Sequence, residues 1–128
     1  MPRTNPTNYD TRVVLLVHEA AERIGDISIR RVRDLCADGC LPCFKLGGLY
    51  YIDRPGLERS LTASGDVVAD VSEDWRIPLT LTVRSTAKML GAPERRVRDL
   101  ISRGTLPAVR LGDRLHVLRR PLQRLMMT

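Results

Sequence analysis

Lysine is nearly missing from this chain of 128 residues: Lys45 and Lys88 are the only two, although Lys and Arg together number 21. The net charge of +6 is therefore carried by arginine, whose planar fork addresses phosphates and guanine edges in ways that an ammonium cannot. A basic balance favours an anionic partner, meaning nucleic acid, an acidic membrane surface or an acidic protein. Long apolar runs are lacking as well. The longest early one, Val13 to Val17, is far too short to span a membrane, and the polar opening MPRTNPTNYDTR has no apolar core of a signal peptide. A soluble cytoplasmic protein with no membrane partner is the expectation. Tryptophan occurs once, at Trp75. With 43% apolar and 28% charged residues, the chain still has a globular profile, and its length suits one ordinary domain or two very small ones.

What the sequence has in excess is repetition. RRVRDL stands at residues 30 to 35 and again at 95 to 100, an offset of 65. In the same register Gly39 matches Gly104, Leu41-Pro42 matches Leu106-Pro107, and Lys45-Leu46-Gly47 matches Arg110-Leu111-Gly112. Upstream the offset is 66, pairing Ala21 with Ala87 and Ile24-Gly25 with Leu90-Gly91. The first copy thus carries one extra residue just after Gly25. The chain reads as two copies of a unit of roughly 45 residues, from Leu16 to Leu61 and from Leu81 to Met126.

Each unit has the same pattern of elements. In the second, Thr82 suits the N-cap of a short helix carrying Val83, Ala87 and Leu90, which Gly91 ends. Pro93 suits the first position of a second helix, where Val97, Leu100 and Ile101 stand at helical spacing and Gly104 closes it. Ala108 to Arg110 and Arg114 to Val117 read as two strands around the turn Leu111-Gly112-Asp113. A last helix is expected from Arg119 to Met126, with Leu122 and Leu125 inward.

Two short helices in sequence followed by a hairpin resemble the small winged helix-turn-helix domain of phage excisionases and MerR-like regulators. The matching features are Ala87-xx-Leu90-Gly91, then Val97-xx-Leu100-Ile101-xx-Gly104-x-Leu106-Pro107, then Arg110-Leu111-Gly112. The first copy is similar but has the longer turn Asp26-Ile27 and a wing tip, Gly47-Gly48-Leu49, without a basic residue. The resemblance covers about 90 residues. It implies a mainly α fold with small β-hairpin wings (α+β), as two tandem domains over 1–61 and 79–128 joined by an acidic linker over 62–78. It also implies sequence-specific binding of double-stranded DNA, no enzymatic activity, no cofactor, and a place beside an integrase or at a promoter. Excisionase-like recombination directionality factor or architectural protein is the leading role, with an integrase and self-association on DNA as further partners. Transcriptional repressor is the alternative. An adaptor that borrows the fold to bind an acidic protein is the alternative from another class.

The hexapeptide then acquires a place. With Val97, Leu100 and Ile101 inward at 100° per residue, Arg95, Asp99 and Ser102 point outward and Arg96 and Arg98 flank them. The N-terminal half of such a second helix is the part that enters a major groove. Arg30, Arg31 and Arg33 hold the same places in the first copy. Asp99 could accept from a cytosine amine, or orient Arg95 at i and i+4. Arg110 and Arg114 gather at the second wing and suit phosphates or a narrow minor groove, and Lys45 is the first wing's counterpart of Arg110. His116 reads as a partly exposed strand residue with no catalytic partner nearby.

Cys36, Cys40 and Cys43 have the spacing CxxxCxxC that holds an iron–sulfur cluster in radical S-adenosylmethionine enzymes. The repeat opposes a cluster or zinc here, because the three align with Ile101, Thr105 and Ala108. Three thiols without fixed partners suit a reducing compartment, and Cys36 reads as a core residue. The segment between the copies carries Asp66, Asp70, Glu73 and Asp74 against Arg76 alone, a poor surface for DNA. Val67, Val68, Val71 and Trp75 are too apolar for a mere tether; Trp75 either docks on a domain or second subunit or anchors a linker. Residues 1 to 61 hold nine cations against eight anions, and 79 to 128 hold eleven against three. The second copy is therefore the expected stronger DNA binder, and direct-repeat half-sites are expected for the pair.

Overall fold

A computed structural model of the chain describes residues 13–61 and 74–127. The first unit runs β1 (Val14–Leu16), α1 (Val17–Ile24), α2 (Ile29–Ala37), β2 (Cys43–Leu46), β3 (Leu49–Asp53) and α3 (Arg54–Ser60). The second repeats that order as β4 (Thr80–Thr82), α4 (Val83–Leu90), α5 (Glu94–Ser102), β5 (Ala108–Leu111), β6 (Arg114–Leu118) and α6 (Arg119–Met126). The fold is mixed α and β. Among the described residues each unit has three helices and a three-stranded antiparallel sheet, in the orders β1-β3-β2 and β4-β6-β5.

Local chemistry sets the element ends. Ser28 Oγ accepts from Arg31 N (3.1 Å) and Thr82 Oγ1 from Ser85 N (3.1 Å), satisfying donors at the starts of α2 and α4. Asp53 caps α3 through Gly56 N (3.2 Å). Gly91 ends α4 in the left-handed region at φ 66°. Pro93 stands one position earlier than expected: it is the N-cap of α5, and its carbonyl accepts from Arg96 N and Val97 N. The α5 helix ends at Ser102 with Arg103 as cap, and Gly104 turns the chain just beyond at φ 78°.

The first core gathers Leu15, Ile24, Val32, Leu35, Ile52 and Leu57, and the second gathers Val83, Ala87, Val97, Leu106, Val117 and Leu122. Leu100 and Ile101 pack half-buried against the second core, whereas Leu125 is exposed rather than inward. Strands β1 and β4, three residues each, are additions to the expected pattern. They pair with β3 and β6, turning each hairpin into a sheet.

The two units are packed together. Trp75, Leu79, Leu111 and Leu118 all belong to the first unit's core. Leu79 N donates to Arg23 O (2.7 Å) and Thr80 Oγ1 donates to Ile24 O (2.7 Å). Beneath this seam lies a buried ionic group: Arg23 and Arg54 both reach Glu58 Oε2, and Arg23 Nη1 donates to Ile77 O (2.8 Å). Gly25 is crossed by the second unit's approach: a Cβ there would lie 2.5 Å from Thr80 O and 2.6 Å from Pro78 Cβ, and its φ is 96°. Only glycine fits that position. Of the acidic segment, Trp75 is buried in the first core with Arg76 over its ring at 4.9 Å, so docking on the chain itself is the outcome for this residue. Val67, Val68, Val71 and three of the acidic residues, Asp66, Asp70 and Glu73, lie outside the described residues, as does the opening MPRTNPTNYDTR.

Candidate nucleic-acid interface

The basic surface is built on the first half of α5 and on the β5–β6 hairpin. Val97 is fully buried, which turns Arg95, Arg96 and Arg98 outward, and all three are exposed, as is Ser102. Arg98 reaches Glu94 at 3.6 Å, one turn earlier. Asp99 pairs forward with Arg103 (3.2 Å) rather than back with Arg95. Arg95 and Arg96 make no ion pair among the described residues, so their forks are open to a ligand.

Two hollows flank α5. On one side Arg84, Arg98, Arg110 and Arg114 line a groove between the start of α4, α5 and the hairpin, with Glu94 and Asp113 as its acids. Both acids are already engaged, Glu94 by Arg98 and Asp113 by Arg31. On the other side Arg95, Arg96 and Asp99 line a hollow with the turn Gly91-Ala92-Pro93. Arg84 went unnoticed in the sequence. Its signal was its place in the first turn of α4, two residues after the N-cap Thr82, where it is exposed.

The first unit is different despite the identical hexapeptide. Arg30 and Arg33 are exposed on α2, but Arg31 is withdrawn: its Nη2 donates to Leu111 O (3.1 Å) and pairs with the Asp113 carboxylate. That guanidinium holds the Asp113 carboxyl below the usual carboxylate range. Lys45 lies 5.3 Å over the Tyr50 ring, on a hairpin whose other tip residues, Leu46 and Leu49, are apolar and exposed. The structure thus brings Arg98, Arg110 and Arg114 to one groove and keeps Arg95, Arg96 and Asp99 on the other flank; Arg31 meets the groove only through Asp113, and Lys45 lies on the first hairpin.

Asp26, at φ 54° and next to the inserted position, accepts from Ser85 Oγ and from Thr82 N (3.4 Å) at the start of α4. The Ser85 hydroxyl is the main reason its pKa is lowered. His116 is buried at 2% exposure, against the expectation of partial exposure. Its Nδ1 lies 2.9 Å from Thr80 Oγ1; because that hydroxyl donates to Ile24 O, Nδ1 is the donor to it. Burial lowers the pKa of His116. Cys36 is buried and its thiol is pushed up to about 12, chiefly by burial, while Cys40 is exposed and Cys43 Sγ donates to Cys36 O (3.6 Å).

No helix among the described residues is long and apolar enough to cross a membrane. No family model, no curated protein and no solved structure matches this chain.

Proposed function

We propose that the chain is a sequence-specific double-stranded DNA-binding protein made of two winged helix-turn-helix units, the second being the principal reader. The observation that carries this reading is the cationic surface on both flanks of α5: Arg95 and Arg96 exposed and without ion-pair partners among the described residues, and Arg84, Arg98, Arg110 and Arg114 around one groove. In this arrangement α5 lies in the major groove with arginine forks toward guanine O6 and N7, and the β5–β6 wing meets the adjoining backbone. The first unit contributes Arg30 and Arg33. An excisionase-like or architectural role follows from the resemblance, with an integrase as the further partner, and a protein of this kind acts in the cytoplasm with no chemistry of its own.

Mobility-shift titration tests the assignment. Arg95→Ala and Arg98→Ala are each expected to weaken binding to a selected duplex by about 1–3 kcal/mol and to relax its sequence preference. Unchanged affinity and preference in both variants would remove α5 from the interface.

A further inference from the structure

The seam between the two units is made once inside the chain, and the repeat leaves the same seam half-made at both ends. Inside, the β5–β6 hairpin sits on α2: Leu111 is 6% exposed, its carbonyl takes the Arg31 guanidinium, and Leu35 and Arg31 lie against the turn at Gly112. The counterpart of Leu111 in the first hairpin is Leu46, which is 64% exposed. The counterparts of Arg31 and Leu35 are Arg96 and Leu100, identical residues of the same hexapeptide, and Arg96 has no ion pair among the described residues.

The upstream register agrees. Leu79, 1% exposed against the end of α1, corresponds to Val13, which is 61% exposed. Ile24, which receives Thr80 at that end, is fully buried, and its counterpart Leu90 is exposed. Val13, Leu46 and Leu90 are thus exposed at the places where Leu79, Leu111 and Ile24 are buried, and Leu100 is half-buried where Leu35 is buried.

We propose that the chain associates with further copies of itself head to tail, the β2–β3 hairpin of one molecule seating on α5 of the next and repeating the contact that β5–β6 makes with α2. The contact is heterologous, so each molecule keeps one donor and one acceptor surface and growth continues beyond a dimer. Gly48 replaces Asp113 in the docking hairpin, so the carboxylate is lost and the Leu46 carbonyl is the remaining acceptor for Arg96. The association is therefore weaker than the internal seam and rises with concentration. Arg96 is withdrawn from the DNA-facing set in this association, as Arg31 is inside the chain, whereas Arg95 and Arg98 stay accessible, as Arg30 and Arg33 do beside the docked β5–β6 hairpin.

Sedimentation of the nuclease-treated full chain, without DNA, tests this independently of any nucleic-acid binding. Leu46→Asp and Arg96→Glu each alter an exposed residue, and circular dichroism melts check that both variants fold like the wild type. The wild type is expected to pass beyond twice its chain mass of 14.4 kDa as concentration rises. Each folded variant alone is expected to stay at the mass of one chain, and an equimolar mixture to reach twice that mass and stop, since it retains one intact surface of each kind. A wild type that stays monomeric, a single variant that still assembles, or a mixture that remains monomeric would each overturn the proposal.

Discussion

Arg31 and Arg96 occupy the same place in the same hexapeptide, yet one is bound to a hairpin of its own chain and the other makes no ion pair among the described residues. Sequence position alone does not decide a residue's role; what covers it does. His116 makes the same point. It is buried and hydrogen-bonded to Thr80, a residue 36 positions away, and no pattern on its own strand announces this. The consequence is measurable. Burial holds the folded-state pKa below the ordinary value, so as pH falls through about 6.5 the unfolded chain takes up a proton that the folded one refuses. Stability from this group is full above that value and declines as pH drops toward the lower, folded pKa. Circular dichroism melts between about pH 7 and 5 should show a falling midpoint, and His116→Gln should flatten that dependence. An unaltered slope would mean that His116 is not the titrating group.

At the scale of elements, helices with strong end signals were legible and short strands were not. Thr82, Gly91 and the span Arg119–Met126 stand where the sequence indicates, because a hydroxyl cap, a left-handed glycine and helical spacing are local properties. Strands β1 and β4 escaped because three residues carry no readable alternation, and they exist only by pairing with β3 and β6. Of the candidate interface, the outward set on α5 was legible from Val97 inward, while the loss of Arg31 to the β5–β6 hairpin depended on how the two units pack. The hairpins differ accordingly, the second basic and the first apolar at the tip. Arg110→Ala and Arg114→Ala should lower affinity for every duplex alike and reduce the salt slope by about one unit per lost phosphate contact. Titrations at several salt concentrations check this, and a slope equal to wild type would place the hairpin away from the backbone.

In the whole molecule, two repeats share one seam and divide the charge unequally. Trp75 and Leu79 sit in the first core, so the two copies are held against each other and the separation of their helices is set by packing. Gly25→Ala should disturb this seam directly, because the added carbon meets the Thr80 carbonyl at 2.5 Å and the backbone is in a region that alanine resists. A loss of more than about 1 kcal/mol in denaturant unfolding is expected, and a neutral result would show that the units do not meet there. The cationic excess lies in the second copy, eleven cations to three anions against nine to eight in the first, and the account rests on that excess meeting phosphate while arginine forks read bases. The most direct measurement is equilibrium binding of the full chain to a duplex enriched by selection and to a scrambled duplex of equal length, each followed by anisotropy across salt concentrations. The account predicts tighter binding to the selected duplex, with log affinity falling linearly in log salt for both. Equal affinity for the two sequences, or affinity that does not change with salt, would contradict it.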